Sequence, residues 1–142
     1  MNSVRLIYIA NARIPTEKAH GIQIMKMCEA FAALGNEVAL VTPWRFNPIK
    51  KDPFEYYNAE KNFKIIKIPS VDLVKFGKIG FWIQSFSFSK LAAIYVLFSA
   101  IGGSAFSRKN RDIIYSRDAL PLFWLSFFKK NLFWESHRGE FN

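Results

Sequence analysis

A chain of 142 residues with 51% hydrophobic and 22% charged side chains is long enough to bury a core and too apolar to be disordered. Its net charge of +9 gathers in the middle, where Lys50 to Arg111 holds eleven Lys or Arg against four acids (Asp52, Glu55, Glu60, Asp72). Nucleic acid is the weakest partner for that charge, because no helix-turn-helix, zinc-finger or ribonucleoprotein signature accompanies it, which leaves anionic lipid or phosphorylated substrates.

The lone Cys28 excludes an internal disulfide framework and a cysteine-built zinc site. Aromatic residues reach 17%, with 15 Phe and 4 Trp, and need a core, a partner or a membrane surface to cover them. Met1 to Ala10 lacks the basic region and long apolar run of a signal peptide, so a cytoplasmic location is expected.

In chain order, Val4 to Ala10 reads as a buried strand, followed by a polar loop from Asn11 to His20 that Pro15 keeps irregular. From Gly21 the apolar period becomes helical, with Ile24, Met27, Cys28, Phe31 and Leu34 on one face, and Gly35 stops the helix. Glu37 to Thr42 is a second strand closed by Pro43. Strand, helix and strand within about forty residues make a βαβ unit with parallel strands. Trp44 to Asn62 reads as irregular. Phe63 to Ile68 is a third strand, Asp112 to Ser116 a fourth, Leu120 to Phe128 a short helix, and Leu132 to Glu135 a fifth strand. The expected fold class is therefore α/β, a partial Rossmann-like doubly wound parallel sheet. Because residues 1–142 stop just past the fifth strand, they are expected to be an incomplete domain.

Open α/β sheets bind ligands beyond the carboxyl ends of their strands. Three loops occupy that edge: Asn11 to Gly21, Arg117-Asp118, and Ser136 to Glu140. Gly21 opens a helix, where free N–H groups and the helix dipole favour phosphate, although a plain turn role accounts for one glycine equally well. Neither a dinucleotide fingerprint nor a Walker loop is present. Arg117 suits an anionic ligand or an ion pair with Asp118. Glu135, at a strand end, suits a structural hydrogen-bond acceptor better than a base. His137 suits an ordinary surface position as well as a site. Cys28 is a core residue.

The run Arg13-Ile14-Pro15-Thr16-Glu17-Lys18-Ala19-His20-Gly21-Ile22-Gln23, with the helix to Phe31 and Gly35-Asn36-Glu37-Val38 behind it, resembles the opening of family-4-type glycosyltransferases of the two-domain GT-B fold. Asp112 to Asp118 and Phe133 to His137 resemble later segments of that family, in the same order. The resemblance implies transfer of a sugar from a nucleotide-sugar donor to a sugar or lipid-linked acceptor, with retention at the anomeric carbon and with no metal and no cofactor. It implies that residues 1–142 are the acceptor-side domain, with the carboxyl-terminal donor-binding domain absent and the fragment inactive alone. It places Gly21 and His20 beneath the donor phosphates, His137 near the reacting sugar as the catalytic candidate, and Arg13, Arg117 and Glu135 in substrate binding. Many relatives carry two adjacent glycines where this chain has His20-Gly21.

From Ile79 to Phe106 the chain is strongly apolar, but its longest charge-free run is interrupted by Gly102-Gly103 and serines. A buried crossover helix between the third and fourth strands explains it better than a membrane span. Lys75, Lys78, Phe81 and Trp82 combine basic and aromatic character, which suits peripheral contact with an anionic membrane surface. Two other readings stand beside glycosyl transfer: a non-catalytic α/β module binding a nucleotide or another phosphorylated ligand, and a basic membrane-surface interaction protein.

Overall fold

A computed structural model of the chain describes residues 3–99 and 112–136. Five strands, β1 (Arg5–Ile9), β2 (Glu37–Pro43), β3 (Lys64–Ile68), β4 (Asp112–Ser116) and β5 (Leu132–Trp134), form one sheet in the order β3-β2-β1-β4-β5. Every pairing is parallel. Among the described residues four helices connect them: α1 (Ala19–Ala33), α2 (Pro53–Tyr56), α3 (Gly77–Ser99) and α4 (Ala119–Leu125), with a 3-10 turn at Val74–Phe76 before α3. This is the Rossmann-like doubly wound arrangement, with the chain reversing its direction across the sheet between β1 and β4.

Strand alternation builds two cores from one strand. Leu6, Tyr8 and Ala10 of β1 and its end join Ile24, Met25 and Cys28 on the α1 side. Ile7 and Ile9 face the other way, into Phe88, Ala92, Val96, Leu122 and Leu125 from α3 and α4. A sheet covered on both faces needs continuous apolar strands, which explains why β1 shows no polar alternation.

The buried residues of α1 are Gly21, Ile24, Met25 and Cys28, a face at spacings of three, four and seven that begins at Gly21. This corrects the stripe expected from the sequence. Met27 and Phe31 pack only partly, and Leu34 is 74% exposed because it follows the last helical residue. Gly35 does take the left-handed turn, at φ +84°, where its N–H reaches the Ala32 carbonyl.

Trp44 to Asn62 is not wholly irregular. Asp52 caps α2 by accepting from the N–H groups of Phe54 and Glu55, with Pro53 in the first turn. The crossover helix α3 is present as expected, but its burial is one-sided. Gln84, Ser85, Phe88, Ser89, Ala92, Ala93 and Val96 lie inside. Ile79, Trp82, Ile83, Ile94 and Phe98 are exposed. Apart from Phe88 and Val96, small and polar residues line the buried face while large apolar ones point outward, more than a crossover helix covered only by its own chain leaves to water.

Candidate functional site

The reversal of strand order leaves a crevice where β1 and β4 both end. Ala10, Asn11 and Ala12 leave β1, Arg117 and Asp118 leave β4, and Glu135 and Ser136 leave β5; with His20, Ile24 and Trp134 they line a cavity of about 390 Å³. The position is the one open α/β sheets use for ligands. A second cavity of about 550 Å³ adjoins it, sharing Asn11, Ala12 and His20, and is lined further by Arg13, Thr16, Lys18, Arg45, Phe46, Asp72, Lys75 and Phe81.

The first cavity is held open by a hydrogen-bonded frame. Asp118 Oδ2 accepts the Asn11 N–H at 2.7 Å, tying the β1 loop to the β4 loop. Ser116 Oγ donates to the Ile9 carbonyl at 2.8 Å and receives the Asp118 N–H at 3.0 Å. Burial pushes the Asp118 carboxyl above its usual pKa, an effect the Asn11 N–H and Arg117 partly offset. No ion pair joins Arg117 to Asp118 among the described residues. Arg117 Nη1 is instead buried beside the cavity with no hydrogen-bond partner among them. A buried guanidinium N–H left unpaired is costly, and an anion in the cavity would satisfy it. The Arg117 carbonyl accepts the Trp134 indole N–H at 3.3 Å, which sets that ring at the cavity wall.

Glu135 sits in a cage of donors. Its Oε2 accepts from Tyr115 at 2.8 Å and from Tyr8 at 3.4 Å, and its Oε1 accepts from Gln23 at 3.2 Å. Burial and this carboxyl push the Tyr115 hydroxyl up to about 12 and hold Tyr8 higher still. With both oxygens engaged, Glu135 locks β5 and α1 against the sheet at the cavity wall and is poorly placed to take a proton.

His20 lies on the boundary between the cavities. Burial, then Arg117 and Lys18, lower its pKa below the usual histidine value, which favours the neutral imidazole. Gly21, its neighbour, lines neither cavity. A Cβ there would run into the Tyr57 hydroxyl and would lie 2.6 Å from Thr16 Cγ2, so close packing is sufficient reason for glycine. Arg13 reaches outward to Glu17 at 3.1 Å and lines the second cavity. Lys75, Lys78, Phe81 and Trp82 are all exposed at the start of α3, and Lys75 and Phe81 also line the second cavity. His137 lies outside the described residues.

Three participants were missed in the sequence reading. Arg45 and Gln84 form a buried network with Asn11, in which Arg45 Nη2 donates to Asn11 Oδ1 and to Gln84 Oε1, each at 2.6 Å. Tyr57 fixes the Asn11–Lys18 loop from a distance of some forty residues in sequence. The available signal for Arg45 was its position: it follows β2 and must emerge at the same carboxyl edge as the other loops. Among the described residues no group of three or more His, Cys, Asp and Glu side chains is arranged to hold a metal ion.

Fold and cavity together define a doubly wound α/β protein with a cavity at the switch point of its sheet. No protein-family model and no curated protein matches the sequence.

Proposed function

We propose that this chain is the acceptor-side half of a glycosyltransferase that moves a sugar from a nucleotide-sugar to an acceptor. The observation that carries this reading is the pair of adjoining cavities at one sheet edge, each with a guanidinium whose buried N–H has no partner among the described residues, Arg117 in one and Arg45 in the other. A module that binds a single nucleotide needs one such cavity; a transferase needs two ligands in contact.

In this reading the first cavity meets the donor. Arg117 supplies charge to the donor phosphates, and Trp134 offers a ring face to a sugar or base. His20, neutral and shared by both cavities, is placed to take a hydrogen bond from an acceptor hydroxyl. His137 follows β5 and keeps its sequence-based role as the residue beside the transferred sugar. No metal or cofactor is required by this scheme. The second Rossmann-like domain implied by the family resemblance would close over the same edge and hold most of the nucleotide.

The exposed face of α3 supports a peripheral membrane location on the cytoplasmic side. Phe76, Ile79, Phe81, Trp82 and Ile83 are exposed beside Lys75 and Lys78, and Lys90 stands 4.7 Å above the Phe86 ring and 5.2 Å above that of Trp124. Gly77–Phe98 is also long and apolar enough to cross a membrane, at 22 residues and a mean hydropathy of 1.3. Its inner face, however, packs on the sheet and on α4.

Calorimetric titration of the chain with UDP-, GDP-, ADP- and dTDP-linked hexoses tests the donor reading. Binding through the diphosphate that all four share is expected, and it should lose affinity in Arg117→Met. Absence of binding by all four would remove the donor assignment.

A further inference from the structure

We propose that the second cavity is an acceptor site built for a phosphate ester, with the Arg45 guanidinium as its fixed recognition element. The acceptor role rests on the transfer reading above; the anion preference stands on the cavity itself.

Four permanent cations line this cavity, Arg13, Lys18, Arg45 and Lys75, against the single carboxylate of Asp72. Glu17 engages Arg13 at 3.1 Å on the exposed side and leaves the other three without it. Burial lowers the His20 pKa and so disfavours a charge on it. The excess of positive charge is larger than one carboxylate ligand requires and matches a phosphate monoester or diester.

Arg45 is the unusual member. It is only partly accessible, and no carboxylate lies within ion-pair distance of it among the described residues. Its two hydrogen bonds go to neutral amide oxygens, Asn11 Oδ1 and Gln84 Oε1. Those amides are themselves pinned. Gln84, fully buried, donates to Ser70 Oγ at 3.2 Å and to Asn11 Oδ1 at 3.3 Å, while Asn11 Nδ2 donates to Ser85 Oγ at 2.9 Å. The network therefore orients the guanidinium without neutralising it. Its Nε is buried and unpartnered. Asp72 and Asp118 act on this cation only from beyond ion-pair distance, so its buried N–H stays unsatisfied at a cost in stability, and an incoming anion that accepts the remaining N–H groups would offset that cost.

Two further features agree. Helix α1 begins at the cavity wall with Lys18 in the cap position, where the side chain gives no hydrogen bond to the first turn, and no acid occupies that turn. A cation there opposes the helix dipole, and an anion bound between them would reconcile the two. Phe46 and Phe81 supply apolar walls for the remainder of the acceptor. Because Phe81 belongs to the exposed face of α3, both a soluble sugar phosphate and a phosphate carried on a lipid can present the same group.

The test compares glucose 6-phosphate with glucose by calorimetry, and phosphatidylcholine vesicles with and without phosphatidic acid by co-sedimentation. It uses the wild-type chain, Arg45→Met, Lys18→Gln and Lys64→Gln. Lys64 starts β3 at the opposite sheet edge and controls for loss of net charge. Lys18 is exposed, so Lys18→Gln reports on the cavity even if Arg45→Met fails to fold. The proposal expects at least one phosphate source to bind about tenfold or more tightly than its neutral counterpart. That preference should fall about tenfold in Lys18→Gln and stay unchanged in Lys64→Gln. Dependence of the glucose 6-phosphate arm identifies a soluble acceptor, and dependence of the vesicle arm alone identifies a lipid-carried one. Equal binding of phosphate and neutral ligands in both arms, or equal effects of Lys18→Gln and Lys64→Gln, would overturn it. Phosphate binding that depends on Lys18, without binding of any nucleotide-sugar, would keep the anion site and remove the transfer reading instead.

Discussion

The Tyr57 hydroxyl holds Thr16 by both ends of its peptide backbone, accepting its N–H at 2.6 Å and donating to its carbonyl at 2.7 Å. The same oxygen lies over Gly21, where it leaves no room for a side chain. One phenol thus fixes the loop between β1 and α1, and with it the position of His20.

Tyr57→Phe leaves a buried N–H and carbonyl unpaired and should cost about 1–3 kcal/mol in urea denaturation. Gly21→Ala should also destabilise, but by less in the Tyr57→Phe background, because the hydroxyl is the nearest obstacle. A coupling on the order of 1 kcal/mol is expected from the double-mutant cycle. Thr16 Cγ2 remains in place, so relief is partial. Equal cost of Gly21→Ala in both backgrounds would show that the hydroxyl does not set the requirement for glycine. Impaired ligand binding by a Gly21 variant, taken alone, cannot distinguish phosphate contact from this packing.

His20 and Asp118 contribute to the pH dependence of stability with opposite signs in the ranges where they titrate. The folded-state pKa of His20 lies below its ordinary 6.5, so as pH falls below that value the unfolded chain takes the proton first and stability is lost. Asp118 is raised above its ordinary 3.8, so between that value and its folded pKa the native state holds the extra proton, and acidification favours folding there. The wild-type chain should therefore lose stability relative to His20→Gln between about pH 7.5 and about pH 5.5. Denaturation curves of both proteins at the two pH values check this; a constant difference would mean that the imidazole is not desolvated.

The exposed face of α3 predicts salt-sensitive association with acidic membranes. Replacing Lys75 and Lys78 by Gln should lower partition onto acidic vesicles about tenfold or more at low salt and have little effect at high salt. Trp82→Ser should weaken binding at both salt levels, because ring insertion does not depend on screening. Co-sedimentation measures both. Equal binding of the wild-type chain to neutral and acidic vesicles would contradict the basic patch.

Much of this architecture was legible in the sequence because parallel strands buried on both faces read as continuous apolar runs. The fourth strand, Asp112–Ser116, was found to the residue, and the others within one or two positions. Two kinds of information were not legible. The facing of α1 depended on where the helix meets the sheet, and a stripe starting at Ile24 was as good on paper as one starting at Gly21. Long-range polar partnerships were invisible for a different reason: Asn11, Arg45 and Gln84 come from three separate segments, and only the common edge of β1, β2 and α3 brings them together. The loop after β2 obeys the same carboxyl-edge rule that singled out the loops after β1, β4 and β5, so Arg45 was within reach of the argument. The start of the outer face of α3, with Lys75, Lys78, Phe81 and Trp82, reads as surface and is exposed, whereas Ile94 and Phe98 further along are exposed where a buried helix was expected, because hydrophobicity reports that a helix is greasy, not how much of it the rest of the chain covers.

The most direct test of the central claim is to locate the nucleotide-sugar on the protein. In ¹⁵N-resolved spectra, titration with the nucleotide-sugar that binds best should shift the amides of Asn11, Ala12, His20, Arg117, Asp118 and Ser136, which surround the cavity at the ends of β1 and β4. Arg117→Met should weaken the interaction about tenfold or more while leaving the melting temperature close to that of the wild-type chain, since it removes a group with an unsatisfied buried N–H. Shifts confined to these loops and lost with Arg117 are the result the account predicts. Shifts centred on the amino ends of the strands, or full affinity in Arg117→Met, would contradict it.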